Sequence, residues 1–207
     1  MSEHPITILA VLFVSIYLGV LWCRDYREGI AGNPHPRALP GATRAPRSVI
    51  ILAVGGALFL LAVETLGELA LGVADRQTDI AGVALFGMIA AGFVEEIFFR
   101  GFLVIDKRGK TALYGSIVFF SAAFALLHVQ YWMVPSDSGW WPTGVDFSSK
   151  AGWTLLILFS NSLWFYALRF NAWNPNRSLL PCFAGHIASN VGVFVVKLCQ
   201  GHVTGLW

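Results

Sequence analysis

The sequence predicts an all-α fold, a polytopic membrane helix bundle of about six transmembrane helices. Three observations carry that expectation. Of the 207 residues, 56% are apolar and only 13% are charged, which is a membrane composition. The apolar residues recur in windows of about 20, the length that crosses about 30 Å of hydrocarbon. Those windows lack the alternating polar face that a soluble core of this size needs. A single integral membrane domain over residues 1–207 accounts for the chain, with no soluble appendage.

The spans follow in order. Pro5 to Cys23 is the first; it has no basic residues ahead of it, and "YLGVLWC" offers no small residues for signal cleavage, so it is expected to be retained. The loop after it, 24–48, is rich in Pro, Gly and Arg and reads as irregular. Val49 to Val73 and Ile80 to Ile105 are nearly continuous, separated by "ADRQTD". Ala112 to Val134 runs into "WMVPSDSGWWPTG", whose tryptophans suit a headgroup interface, where an indole is half apolar and half polar. Ala151 to Phe170 contains Asn161 and Ser162, read as interhelical hydrogen-bonding residues. Leu179 to Cys199 closes the series.

Positive charge orients the bundle. Arg24, Arg27, Arg37, Arg44 and Arg47 fall in the first loop, Lys107, Arg108 and Lys110 in the third, and Arg169 and Arg177 around the fifth. With alternating spans these odd-numbered loops share one face, which the positive-inside rule makes cytoplasmic: loops 24–48, 106–111 and 171–178, with both termini outside. The expected location is a bacterial or archaeal cell membrane, with the lipid bilayer as surroundings. The net charge of +2 is spread over membrane-flanking loops, so nucleic acid is not an expected partner. Cys23, Cys182 and Cys199 are odd in number and far apart, signalling neither a disulfide framework nor a thiolate metal site. Cys182 reads as a packing residue.

Against this background "GFVEEIFFRGFLV", Gly92 to Val104, places three ionisable groups in a span. Each would cost roughly 2.5 to 3.5 kcal/mol at the bilayer centre. Glu96 and Arg100 are four apart and can pair on one helix face. Glu95 points about 100° away and needs partners from other helices. Two stretches can supply them: His128 in "FALLHVQ" of the fourth span, and His186 with Asn190 in "HIASN" of the sixth. At about 1.5 Å per residue from the cytoplasmic ends, Glu95 is roughly 15 Å deep, His186 and Asn190 roughly 10 to 17 Å, and His128 roughly 20 to 24 Å. Each residue alone reads as helix glue; together they mark a functional site, because ionisable groups inside a membrane are costly to keep.

These residues resemble a known family. "EEIFFR" fits EExxxR, "FALLH" fits FxxxH and "HIASN" fits HxxxN, in the order and at the intervals of the CPBP family of intramembrane proteases. That family includes the prenyl-protein (CAAX) endopeptidases and the bacterial Abi or bacteriocin-immunity proteins. The resemblance covers a protease-like core over about 82–194, and "NRSLLPCFAGH" also resembles the approach to the last motif. It implies Glu95 as the general base that activates water, with His128 holding or polarising that water. It implies His186 and Asn190 as oxyanion stabilisers, and Glu96 with Arg100 as a structural pair.

A carboxylate-bound water can hydrolyse an amide without a covalent intermediate, and donors aimed at developing charge act strongly at low dielectric. No cofactor is expected. Zinc held by the two His and two Glu is the alternative, disfavoured because no HExxH or other short ligand spacing is present. The expected function is thus endopeptidase cleavage of a membrane-associated protein or peptide, reached from the cytoplasmic half. A CAAX tail, a signal or sorting sequence, or a peptide such as a bacteriocin would fit. A transporter or proton relay, or a non-proteolytic scaffold, is the other class; no paired broken helices or repeat support a transporter.

Other polar positions read more simply. Glu64 and Glu68 are expected as a mildly repelling pair solvated by headgroups at the outer interface. His4, His35 and His202 fall in termini or loops, with nothing nearby to suggest ligation.

Overall fold

The structure, a computed structural model, describes residues 5–134 and 143–206. Six helices follow one another: α1 (Pro5–Ile30), α2 (Arg47–Ala70), α3 (Ala84–Glu95), α4 (Lys110–Leu127), α5 (Ser149–Phe170) and α6 (Leu180–Cys199). α3 continues into a π-helical segment, Glu96–Phe102, and a small antiparallel ribbon of β1 (Met133–Val134) and β2 (Gly144–Val145) lies between α4 and α5. Five of the helices are long and apolar enough to cross a bilayer alone. α3 approaches that length only together with its π-helical continuation. Outward-facing Phe13, Ile16, Ile51, Phe59, Val118 and Phe119 are each more than half exposed. Such faces would promote aggregation in water, whereas lipid tails solvate them.

Two helix ends differ from the sequence expectation. α1 continues past Cys23 to Ile30 because its last turns hold their own charges: Arg24 pairs with Asp25 at 3.1 Å and reaches Glu28 at 4.0 Å. α4 stops at Leu127 instead of running to Val134, so His128 is not inside the fourth helix. His128 takes φ −80°, ψ 56° and leads into a 3-10 turn, Val129–Tyr131. The end is stable because side chains take the orphaned carbonyls: His128 Nδ1 donates to Phe124 O at 2.7 Å, and Trp132 Nε1 to Leu126 O at 2.9 Å. Trp140 and Trp141 of the expected aromatic loop, and His4, lie outside the described residues.

Small residues set how the helices approach. A Cβ on Gly56 would lie 2.3 Å from the Trp164 ring and one on Gly67 2.2 Å from the Trp153 ring, so α5 packs its indoles onto bare backbone of α2. These contacts pair early α2 with late α5, which makes the two helices antiparallel. Gly185 sits at Ala53 and Gly192 at Leu61, so α2 and α6 run parallel, as strict alternation requires. The core between them gathers Trp22, Ala53, Ala57, Ile97, Phe165, Leu168, Leu179 and Phe183.

The arginine-bearing loops do share one face, and they are knitted together there. Leu179 N donates to Gly41 O, Ser178 Oγ and Asn176 Nδ2 donate to Thr43 O and Arg44 O, and Arg177 pairs with Asp106 at 2.8 Å. Asn174 closes the last loop by donating to Leu168 O and Ser178 O and accepting from Ser178 N. Asp25, 3% exposed, accepts from Leu39 N at 2.8 Å and ties the first loop to α1. At the opposite face the C-terminal tail pairs with the approach to α3 through an Ile80–Val203 bridge, with His202 on Asp79 at 2.8 Å and buried Lys197 donating to Thr78 O at 2.6 Å.

The indole contact is testable. Gly56→Leu should destabilise the detergent-solubilised protein by about 1–3 kcal/mol through overpacking, read as a lower unfolding midpoint. Gly55→Leu, with no atom within 4 Å of its Cβ position, should leave that midpoint nearly unchanged.

Candidate active site

The site forms where α3 changes helical type. Leu103 N–H reaches back to Phe98 O at 2.8 Å, a five-residue step that leaves Phe99 O without its α-helical donor. The Tyr166 hydroxyl of α5 takes that place, donating to Phe99 O at 2.6 Å with Leu103 O at 3.2 Å. Within this widened turn Glu96 and Arg100 are both fully buried, and Arg100 Nη1 lies 3.1 Å from Glu96 Oε1. The Arg100 guanidinium has no hydrogen bond among the described residues. It is surrounded instead by the rings of Phe124, Tyr166, Phe165 and Phe99, at 4.5, 5.2, 5.4 and 5.8 Å. Ring quadrupoles attract a desolvated cation, so the cage and one carboxylate hold the charge.

Glu96 has a second partner. His186 Nδ1 lies 2.7 Å from the same Oε1, while its Nε2 lies 3.7 Å from Glu95 Oε2. The imidazole stacks on Phe165 at 5.3 Å and meets Phe124 edge-on at 6.1 Å. Gly92 permits this approach of α6 to α3, since a Cβ there would lie 3.2 Å from Asn190 Nδ2 and 3.3 Å from His186 Cδ2. Asn190 Nδ2 donates to Met88 O at 2.8 Å, which uses one of its two N–H groups. Glu95 keeps 29% of its side chain exposed, against none for Glu96. Two adjacent carboxylates are thereby made unlike: one locked between Arg100 and His186, one part exposed.

His128 comes to the same level by register. Ile105 N donates to Ser116 Oγ at 3.1 Å, and Phe99 meets Phe124 edge-on at 5.1 Å. The π-helical segment and α4 therefore run antiparallel, which carries His128, four residues past Phe124, toward the Glu95 end of that segment. Its ring lies 4.6 Å from Phe124 and 6.2 Å from Tyr131. Phe124 is thus a shared neighbour of both histidines and Arg100.

Toward the arginine-bearing loops the site is closed by Ile97, Arg100, Phe124, Phe165 and Tyr166, none more than 2% exposed. Glu95, by contrast, keeps part of its side chain exposed. The sequence depths placed the residues at one level but could not show which side was plugged.

The expectation for Glu64 and Glu68 is corrected. Glu68 is 3% exposed, pairs with Lys150 and accepts from Gln77 Nε2 at 2.6 Å, so headgroups do not solvate it. Tyr131 stacks on His128 at 6.2 Å, which brings it to the margin of the site. Sequence reasoning missed Tyr131, Tyr166 and Phe165. The first lies just past the FxxxH motif, but nothing in the pattern marked the other two. Ser162 Oγ meets Ser121 Oγ at 3.0 Å across α4 and α5. Buried Cys182 donates to Phe165 O at 3.3 Å. Among the described residues no three His, Cys, Asp or Glu side chains form a set suited to a metal ion.

A membrane bundle that sets a part-exposed carboxylate 3.7 Å from an imidazole has groups that an intramembrane peptidase can use. A family model described as type II CAAX prenyl endopeptidase Rce1-like matches residues 77–192, more than half of the chain, and the protein belongs to that family. The match spans α3 to α6 and all three motifs, and it implies endopeptidase activity of the CAAX type. No curated protein and no solved structure matches the chain.

The ion pair predicts its own asymmetry. Arg100→Met should destabilise the fold by about 3–5 kcal/mol, because it leaves Glu96 charged and buried. The double change Glu96→Gln with Arg100→Met should recover much of that loss. Unfolding midpoints of the three proteins in one detergent would measure it.

Proposed function

We propose that the protein is a glutamic-type intramembrane endopeptidase that hydrolyses a peptide bond of a membrane-associated protein or peptide through a Glu95-activated water. The observation that carries this reading is the difference between the paired carboxylates. Glu96 is committed to Arg100 and His186, whereas Glu95 is part exposed and faces His186 Nε2. A base must reach the proton it removes, and only Glu95 is placed to reach one.

The other roles follow from hydrogen-bond inventory. His128 spends its Nδ1 proton on the Phe124 carbonyl, so its neutral ring offers a lone pair at Nε2 and can hold the attacking water as an acceptor. Asn190 has an N–H left beyond the one given to Met88, which suits an oxyanion, and His186 lies beside it. Loss of such a donor typically costs about a hundredfold to a thousandfold in rate. Support for a metal-free route comes from Glu96, whose carboxylate is committed to Arg100 and His186 within the protein.

Glu95→Gln keeps size and polarity but cannot take a proton. It should fold normally and lose at least a hundredfold in cleavage, measured as disappearance of a peptide terminus between membranes carrying the two proteins. Retained cleavage would sink the glutamate reading. Inhibition of the wild type by EDTA or phenanthroline, reversed by zinc, would replace it with metal chemistry.

We place the arginine-bearing loops, 24–48, 106–111 and 171–178, in the cytoplasm of a bacterial or archaeal cell by the positive-inside rule. Single cysteines introduced at Arg44 and Asp79 decide this. A membrane-impermeant maleimide on intact cells should label position 79 and not 44. The reverse pattern would overturn this orientation.

A further inference from the structure

We propose that His186 is a proton relay and that Glu96 is the positioning residue that makes it one; this rests on Glu95 being the base. Glu96 Oε1 lies 2.7 Å from His186 Nδ1 and 3.1 Å from Arg100 Nη1. Beside Arg100 the carboxylate is an acceptor only, so the proton of the neutral imidazole lies on Nδ1. Its Nε2 then presents a lone pair toward Glu95, 3.7 Å away. A neutral His186 in this tautomer cannot donate to an oxyanion. It gains a donor at Nε2 only by receiving a proton.

The reaction itself supplies that proton. As the water oxygen bonds to the scissile carbonyl carbon and the C=O pair moves onto oxygen, one water proton passes to Glu95. Glu95 hands it to His186 Nε2, becoming a carboxylate again. The gap of 3.7 Å exceeds a hydrogen bond, and the part-exposed Glu95 closes it by rotating its carboxylate. The imidazolium that forms lies between two carboxylates, with Arg100 behind Glu96, so charges alternate along Arg100, Glu96, His186 and Glu95. Its Nε2–H meets the oxyanion and then protonates the leaving nitrogen as the C–N bond breaks. A carboxylic acid and an amine leave, and His186 returns to its starting tautomer. The logic is that of the carboxylate in a Ser-His-Asp triad, which orients an imidazole and stabilises its charged form without taking the proton.

The other groups around His186 do not compete for this role. From α4, His128 is held by Phe124 O; from α5, the Tyr166 hydroxyl is given to Phe99 O; on α6 itself, Cys182 is turned to Phe165 O. α2 faces α6 here with Ala53 and Leu61. Phe165 and Phe124 fix the plane of the ring. Four aromatic rings and one imidazole therefore serve the same short charge chain.

Two measurements test the relay. The first is 15N NMR of histidine-labelled Glu95→Gln protein, in which His186 should show a protonated Nδ1 and an unprotonated Nε2. A protonated Nε2 in the neutral ring would overturn the proposal. The second compares cleavage of a farnesylated reporter peptide that the wild-type protein cuts with its depsipeptide, an ester at the scissile bond. An alkoxide leaves with far less need of a proton than an amine. Glu96→Gln, and the charge-balanced Glu96→Gln with Arg100→Met should the single variant fold poorly, should lose about 10²- to 10⁴-fold in kcat on the amide. On the ester the loss should be about tenfold or less, with KM little changed on both. Equal losses on amide and ester would show a merely structural Glu96 and overturn the relay, as would an undiminished kcat on the amide. If the Glu95→Gln protein still cleaves the amide, the base assignment fails instead, and the two failures are distinguishable.

Discussion

Burial of the Arg100 charge organises this protein. A guanidinium out of water costs several kcal/mol after relaxation, and one carboxylate 3.1 Å away does not by itself satisfy its donors. The fold answers with rings from three elements: Phe99 of the π-helical segment, Phe124 of α4, and Phe165 and Tyr166 of α5. Those same rings position the rest of the site. Phe165 and Phe124 flank His186, Phe124 neighbours His128, and Tyr166 occupies the carbonyl released by the π turn. Removing the charge would remove the reason for the cage, and with it the geometry of both histidines.

The paired glutamates show how one local sequence yields two chemistries. Neighbouring residues on a helix project about 100° apart, so one can turn into the cage and the other toward the cavity. Glu96 is fully buried and doubly partnered; Glu95 is part exposed and faces an imidazole at a distance too long for a hydrogen bond. Environment, and not residue type, separates the anchor from the base. In α2, Glu68 is likewise enclosed, by Lys150 and Gln77.

The scaffold around the site is closed toward the arginine-bearing loops. On the arginine-bearing face the loops hydrogen-bond to each other and large buried side chains fill the bundle. On the opposite face α4 ends early, and the chain there continues as a 3-10 turn and a short ribbon. Alternation of helix direction makes these two ends chemically distinct, since every basic-rich connection falls at the closed one.

The sequence by itself determined the helical membrane bundle, the order of its spans and the shared face of the arginine-bearing loops, because composition and window length report solvent preference without reference to neighbours. It also showed that Glu96 and Arg100 could pair and that Glu95 would need partners elsewhere, since helical spacing is a local property. Only the tertiary structure decided that Glu96 also holds His186 and that Arg100 sits in an aromatic cage. It alone placed the π turn at the site, ended α4 before His128 and sealed the arginine-bearing side. Each of those features depends on side chains from α4, α5 and α6 meeting α3 at one depth, and spacing along a single chain carries no information about rotation and register between helices.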